Sequence, residues 1–308
     1  MEITRRKIYT GLRISSRLIL PLICTATVAC AHPAVEDSRP KNKEEIPYKP
    51  RTYEVKALRN LRYAEKPEAV YAADTSSDRL LDLYLPVDEG GDKKPVILFV
   101  HGGGFAGGDK SALEKFWRDL ASNGFAVISA NYRLYLKHHK TSGASASANM
   151  AKGLRPDGKF HPELQKAVTI ASDDATKVLE WIKNNADTYQ MDAQRVAVSG
   201  GSAGAMTVLH LAFTSGQQVL PVRAVVNMWG GLQNASIIKA GAPPMLTFHG
   251  DQDALIHVDY ARALDSQLKK VGSVSELLVL EGKGHAIYNI ISKDHVGTIV
   301  SFLRSVMK

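Results

Sequence analysis

Cysteine is nearly absent from this 308-residue chain, which contains only Cys24 and Cys30. Both lie within the first 30 residues, so the rest of the chain offers no disulfide, no thiol nucleophile and no cysteine metal site. That part must be stabilised by an ordinary hydrophobic core. A composition of 44% hydrophobic and 23% charged residues is typical of a globular protein with such a core.

A concentrated positive charge is also missing. The formal net charge is +8, but residues 1–29 hold five cations and one anion, so half of the excess belongs to that short segment. The other lysines are scattered along the sequence, whereas a nucleic-acid-binding protein needs a concentrated basic face. We therefore do not expect nucleic acid as a partner.

The apolar run from Leu18 to Ala29 is too short to span a membrane comfortably, and it contains a proline. With the basic stretch before it, residues 1–29 fit a signal peptide. Two processing routes are open: lipid attachment at Cys30, or ordinary cleavage after Ala31. We expect an exported protein, either secreted or attached to a membrane through a lipid in the periplasm or outer membrane. Residues 30–52 are polar and proline-rich, which predicts a disordered tether.

Residues 53–308 alternate between strand and helix patterns. Continuous apolar runs such as Pro95–Val100 predict strands covered on both faces, and the partly alternating Arg79–Val87 predicts an antiparallel edge strand. Ser111–Ser122 predicts a helix, with Ser111 and Glu114 as a capping box. The 3.6-residue periodicity of Ala171–Asn185 predicts another helix. The alternation predicts an α/β fold with a mostly parallel sheet and helices on both faces.

One segment interrupts this alternation. Residues 135–163 have little apolar periodicity and are rich in serine, alanine, glycine and lysine. Loops of this length are usually functional or disordered, so we expect a surface insertion that could overhang a site. His138 and His139 lie within it, but no acidic residue follows at ligand spacing. No metal site is therefore expected.

The segment "VSGGSAGA" places Ser202 between a strand and a helix, in the pattern G-x-S-x-G. A turn this sharp strains the serine backbone, and side chains two positions before or after it would collide with neighbouring atoms. Gly200 and Gly204 remove those collisions. The serine oxygen then projects beyond the sheet at a helix N-terminus, where amide groups favour developing negative charge.

Other residues support a nucleophilic role for Ser202. "HGGGF" (His101–Phe105) follows a buried strand, and glycines let backbone amides approach a bound atom closely. The amides of Gly103, Gly104 and Ala203 are candidates for an oxyanion hole. His285 lies in a glycine-flanked loop after the last predicted strand and is the candidate base. Asp251 and Asp253 both follow the preceding strand. Asp253 is favoured because Asp251 falls in the first tight turn.

The motifs "HGGGFAGGDK", "NYRL", "DAQRVAVSGGSAGA", "HGDQD" and "GKGHA" together resemble the α/β-hydrolase superfamily. The resemblance covers roughly residues 71–308 and is to carboxylesterases of the feruloyl/acetyl-xylan-esterase-like kind, related to hormone-sensitive-lipase-like esterases. It implies an α/β-hydrolase fold, a triad of Ser202, Asp253 and His285, and an oxyanion hole at Gly103, Gly104 and Ala203. It also adds support for Asp253 as the acid. The hormone-sensitive-lipase-like pattern usually has an acid at the position of Gly201 and a glycine at that of Ala205.

The sequence thus predicts a serine carboxylesterase that forms an acyl-enzyme and requires no metal or organic cofactor. Export suits an enzyme acting on acetyl or feruloyl groups of polysaccharides, although nothing in the sequence names the alcohol or the acyl chain. Two alternatives stay open. One is an amidase or peptidase with the same triad, and the other is a non-catalytic, lipid-anchored binding protein on the same fold.

Overall fold

The computed structural model describes residues 52–87 and 90–308. The expected signal peptide, Cys30 and nearly all of the tether lie outside these residues. Eight strands form one sheet: β1 (Val55–Arg62), β2 (Leu80–Pro86), β3 (Lys94–Val100), β4 (Ala126–Ala130), β5 (Met191–Gly201), β6 (Val222–Met228), β7 (Met245–Gly250) and β8 (Ser275–Leu280).

The sheet has the order β1-β2-β4-β3-β5-β6-β7-β8. β2 pairs antiparallel with both β1 and β4, and the other pairs are parallel. The predicted α/β-hydrolase fold is therefore confirmed. β2 is antiparallel as predicted, but the prediction of an edge position was wrong. β1 lies outside it, and its irregular burial pattern gives little strand signal in the sequence.

The described residues form eight α-helices: α1 (Glu114–Ala121), α2 (Tyr135–His138), α3 (Ala146–Met150), α4 (Pro162–Asn185), α5 (Ala203–Phe213), α6 (Asp259–Lys270), α7 (Tyr288–Asp294) and α8 (Val296–Val306). Alternate residues of β3 enter two separate core clusters, one containing Leu98 and the other Phe99. The first cluster includes residues of α4, α5 and α6, and the second includes residues of α1, α7 and α8. Helices thus cover both faces, as predicted. Within the described residues, no helix is both long and apolar enough to cross a bilayer.

The predicted capping box at α1 was wrong. The helix begins at Glu114, and its N-cap residue Leu113 contributes no side-chain hydrogen bond. The Ser111 hydroxyl instead donates to Asp109 Oδ1 at 2.6 Å, and the Glu114 carboxylate accepts from Arg118 Nε at 2.9 Å. Ser111 therefore closes a local turn with Asp109, a competing use of serine that a spacing pattern cannot exclude.

Residues 135–163 are more ordered than a surface loop. They contain α2 and α3, and Leu136, Met150 and Phe160 are buried in the core. The Met150 carbonyl accepts a hydrogen bond from the His257 amide at 3.1 Å, so this segment packs on the chain that follows Asp253. His138 Nε2 hydrogen-bonds Asp74 Oδ2 at 2.7 Å, an acid far away in the sequence. No group of three metal-ligating side chains occurs in the described ranges.

A buried carboxylate joins this part of the fold to the sheet. Asp174 of α4 has a fully buried side chain, and its oxygens accept from Arg79 Nε at 3.0 Å and Arg133 Nε at 2.9 Å. The Arg133 amide donates a further hydrogen bond to Oδ2 at 2.9 Å. Two guanidinium groups thus compensate the desolvation of one carboxylate, which fixes α4 against the segments before β2 and after β4.

Candidate active site

The candidate site lies at the carboxyl ends of β3, β5, β7 and β8. For clarity, the serine turn is Gly200–Gly204, the glycine loop is His101–Gly108, and the histidine loop is Glu281–Ile287. Parallel strands bring their carboxyl ends to one edge of a sheet, and ligands bind there in open α/β folds. This topology collects residues that are widely separated in the sequence.

Ser202 has φ +56° and ψ −121°, a backbone conformation that residues with side chains rarely adopt. It directly precedes α5, as predicted. A Cβ on Gly200 would overlap Gly204, and a Cβ on Gly204 would overlap the Val100 and His101 carbonyl groups. The predicted collisions are therefore confirmed. Glycine at position 204 also lets the serine turn pack directly on the end of β3, where the glycine loop begins.

A continuous chain of hydrogen bonds connects three side chains. Ser202 Oγ lies 2.8 Å from His285 Nε2, and His285 Nδ1 lies 2.7 Å from Asp253 Oδ2. The His285 side chain is 14% exposed and that of Asp253 is fully buried. Because a carboxylate only accepts, Asp253 fixes the imidazole tautomer with a proton on Nδ1, leaving Nε2 to accept from the serine hydroxyl. The structure thus brings together the three residues that the sequence singled out.

Asp253 has further partners that sequence reasoning missed. Its Oδ1 accepts from the Leu255 and Ile256 amides at 2.8 and 2.9 Å. Nε2 of fully buried His249 donates to the Ile256 carbonyl at 2.8 Å and lies 3.4 Å from Asp253 Oδ2. Burial raises the pKa of Asp253, but hydrogen bonds from His249, His285 and the Ile256 amide outweigh it and hold the pKa well below its usual range. Asp253 is therefore ionised.

Asp251 is placed differently. Its Oδ1 is buried without a hydrogen-bond partner in the described part of the chain, and its amide continues the strand pairing by donating to Leu280. It makes no contact with His285 that resembles the one made by Asp253. The position of Asp251 in the first turn after β7 explains the difference, because its backbone still hydrogen-bonds to β8.

The glycine loop is held by its own hydrogen bonds. The Gly103 carbonyl accepts from the Ala106 and Gly107 amides at 3.1 and 3.0 Å. Gly103 has φ +115°, and a Cβ there would overlap Gly107. The amides of Gly103 and Gly104 donate no hydrogen bond within the described residues. The Ala203 amide stands in the first turn of α5, where helix amides have no intrahelical acceptor. All three groups can therefore receive an anion.

His101 anchors the start of this loop. Its Nδ1 donates to the Gly102 carbonyl at 2.8 Å, and its ring stacks on Tyr132 with centroids 4.6 Å apart. Burial lowers the pKa of His101, which keeps the imidazole neutral in this apolar position. The Tyr132 hydroxyl donates to the His101 carbonyl at 3.1 Å. His101 is thus a support for the loop and has no direct contact with Ser202 among the hydrogen bonds of the site.

An aromatic cluster lies next to His285. The Trp229 ring makes edge contacts with His285 and Tyr288, at centroid distances of 6.3 and 4.6 Å. Trp229 has φ +44°, and Ala286, directly after His285, has φ +59°. Two residues with side chains in this region of backbone space indicate that tertiary packing fixes the geometry around His285.

The fold and this arrangement are those of an α/β hydrolase. Two family models agree with this conclusion, BD-FAE over residues 81–147 and a model described as alpha/beta hydrolase fold over residues 162–239. Several of the proteins that it resembles are named esterases, among them the following.

Fumonisin B1 esterase of Sphingopyxis macrogoltabida is 33% identical over 156 residues, which is 48% of this chain and 25% of that protein. Esterase LipC of Mycobacterium tuberculosis is 26% identical over 282 residues, covering 74% of this chain and 61% of LipC. The chain thus spans between a quarter and three fifths of these relatives. The solved structure of Thermogutta terrifontis esterase 2 phosphorylated by paraoxon shares the fold, with TM-score 0.59, 20% identity and coverage of 86% of this chain and 98% of that one.

Proposed function

We propose that this protein is a serine carboxylesterase. His285 Nε2 removes the proton of Ser202 Oγ, which attacks the ester carbonyl carbon. His285 then gives that proton to the departing alcohol, and water releases the acid from the acyl-enzyme by the same route. The observation that carries this proposal is the unbroken hydrogen-bond chain from Asp253 through His285 to Ser202. The similarity to named esterases supports an ester as the substrate class.

In this mechanism the negative charge of the tetrahedral intermediate is stabilised by amide groups. The proposed donors are Gly103, Gly104 and Ala203, whose amides have no competing acceptor in the described residues. Preorganised donors of this kind are typically worth a factor of about 10² to 10³ each in turnover. Asp253 stabilises the imidazolium that forms during the reaction, and its second oxygen is fixed by the backbone of residues 255 and 256.

The variant Ser202→Ala tests the nucleophile. We expect kcat for p-nitrophenyl acetate to fall about a millionfold, because removal of the serine abolishes the acyl-enzyme route. Paraoxon or a fluorophosphonate probe should label the parent at Ser202 and leave the variant unlabelled. Ser236→Ala, which changes an exposed serine, is the matched control and should behave as the parent. Parent protein that neither reacts with the probe nor cleaves the ester would instead be a non-catalytic binding protein.

For the natural substrate we propose carbohydrate-linked acetyl or feruloyl esters, on the basis of the sequence resemblance. Acetylated xylan, methyl ferulate and p-nitrophenyl esters of increasing chain length form the test panel. Faster hydrolysis of acetylated xylan or methyl ferulate than of the p-nitrophenyl esters at equal concentration would support the proposal. p-Nitroacetanilide, the amide counterpart of p-nitrophenyl acetate, should be cleaved far more slowly. An equal rate would point to an amidase.

We also propose that the protein is exported and carries a lipid at Cys30. The basic segment followed by the apolar run Leu18–Ala29 supports this proposal. Radiolabelled palmitate should be incorporated into the parent and not into Cys30→Ala when both are expressed in a bacterium. Unlabelled parent protein cleaved after Ala31 would indicate ordinary secretion.

A further inference from the structure

The Tyr288 hydroxyl occupies an unusual position. Tyr288 is the first residue of α7, three residues after His285, and it is partly exposed as a whole. Its hydroxyl oxygen is nevertheless buried and has no hydrogen-bond partner in the described residues. Such groups are rare, because a buried polar atom without a partner loses its hydration without compensation. A reason is needed for a tyrosine at this position.

The hydroxyl lies between the two segments that form the candidate site. A Cβ on Gly201 would overlap Tyr288 Oη, so the tyrosine fills the space that any side chain at position 201 would need. A Cβ on Gly102 would lie 3.4 Å from the same oxygen and 3.4 Å from Ser202 Cβ. The Tyr288 hydroxyl therefore touches the serine turn on one side and the glycine loop on the other.

The electrostatic surroundings agree with this geometry. Burial raises the pKa of Tyr288 far above its usual value, so the hydroxyl stays protonated. The Gly102 amide acts in the opposite direction, since its N–H favours negative charge on the oxygen, although the contact falls outside hydrogen-bonding geometry. A neutral hydroxyl next to a backbone amide can fix the position of that amide without placing a charge beside it.

The ring of Tyr288 is firmly placed. It makes an edge contact with Trp229 at a centroid distance of 4.6 Å and another with Phe99 at 6.4 Å. A phenylalanine would make the same ring contacts and would leave no buried hydroxyl without a partner. Packing alone therefore accounts for the ring and leaves the hydroxyl unexplained.

We propose that Tyr288 is a positioning residue, whose hydroxyl sets the separation between the glycine loop and the serine turn and thereby aligns the amides around the reacting carbonyl. The proposal rests on the esterase function proposed above. It also explains why glycine stands at position 201, where the hormone-sensitive-lipase-like pattern usually has an acid. The space is taken by the side chain of Tyr288, which directly follows the histidine loop, so its hydroxyl oxygen lies where the three segments meet.

The variant Tyr288→Phe tests this role. We expect kcat for p-nitrophenyl acetate to fall about tenfold with KM unchanged, because misaligned amides stabilise the transition state less and leave ground-state binding as it was. The melting temperature should stay the same or rise, because the unpartnered buried hydroxyl is gone. A merely structural role would give the opposite pattern, with a lower melting temperature and unchanged kcat, and would overturn the proposal.

Tyr63→Phe is the matched control. Its hydroxyl is also buried but donates to the Asn131 carbonyl at 2.8 Å, away from the site. We expect a lower melting temperature with kcat within twofold of the parent. A trifluoromethyl ketone inhibitor, which forms an oxyanion on the serine, gives a second measurement. Its affinity should fall in Tyr288→Phe by the same factor as kcat/KM and stay unchanged in Tyr63→Phe.

The contact with Gly201 gives an independent test. Gly201→Ala should lower kcat strongly in the parent, because the new methyl group displaces the Tyr288 hydroxyl. In a Tyr288→Leu background the same substitution should cost much less, since the shorter side chain leaves room. Equal losses in both backgrounds would overturn the proposal. If the parent itself hydrolyses no ester and resists the fluorophosphonate probe, the proposed function has failed instead.

Discussion

Asp253 and Asp174 are two buried carboxylates that the protein neutralises in different ways. Asp174 lies in α4 between two arginines, and Asp253 follows β7 beside two histidines and two backbone amides. Guanidinium groups are always charged, so the first arrangement is permanent and can only hold the fold together. An imidazole can gain and lose a proton, so the second arrangement can take part in chemistry. The type of side chain paired with a buried acid therefore distinguishes a carboxylate that stabilises the fold from one that can serve in catalysis.

Of the variants that test this comparison, Asp253→Asn should show the largest effect, which is on kcat. An amide can present its NH₂ group to His285 Nδ1 and favour the wrong tautomer, so we expect kcat to fall about 10⁴-fold. The melting temperature should fall as well but far less in proportion, because the amide keeps the shape and loses only the stability contributed by the ionised carboxylate. Ester turnover and thermal unfolding measured on one preparation check both expectations. A variant that keeps a tenth of parental kcat would remove Asp253 from the mechanism.

Asp174→Ala should have the opposite pattern, with a large loss of stability and little change in kcat. It leaves Arg79 and Arg133 without their buried partner, and breaking such a pair typically costs about 3–5 kcal/mol of unfolding free energy. The protein that remains folded should keep kcat near that of the parent. Urea denaturation measures the loss. Asp157→Ala is the control, since its ion pair with Arg155 is exposed to solvent and should contribute little to stability.

The smallest effect concerns acid stability. The pKa of Asp253 is lowered by folding, so its ionised form contributes stability that is complete above the ordinary aspartate pKa of about 3.9. That contribution is lost as the pH falls through the lowered value in the folded state. Urea denaturation of the parent at decreasing pH should therefore show a steeper loss below about pH 4 than that of Asp253→Asn. Parallel curves would contradict the assigned direction.

Short sequence patterns predicted the elements whose conformation depends mainly on neighbouring residues. The bounds of α5 and the strands before Ser202 and His285 follow from apolar runs and glycine placement, and the sheet topology then brings Ser202, His285 and Asp253 together. Asp253 could be preferred over Asp251 because Asp251 falls in the first tight turn after the strand, and the family resemblance supported the same choice. The fold class followed from the alternation of strands and helices.

Long-range packing determined what the sequence did not predict. β1 was missed because an exposed edge strand has weak apolar patterning, and the order in residues 135–163 depends on distant partners such as Asp74 and His257. Tyr288 was missed as well. Its signal was an aromatic residue shortly after His285, combined with a glycine at position 201, but their contact joins residues 87 positions apart in the sequence.

The backbone of Ser202 has a consequence for the evolution of this protein. With φ at +56°, the chain holds its proposed nucleophile in a conformation that glycine would adopt without strain. Selection for stability alone would thus replace the residue on which the proposed activity depends. We expect Ser202→Gly to be inactive yet to unfold at a higher temperature than the parent, as in other trade-offs between stability and activity. The proposed catalytic role of Ser202 accounts for a serine at this strained position.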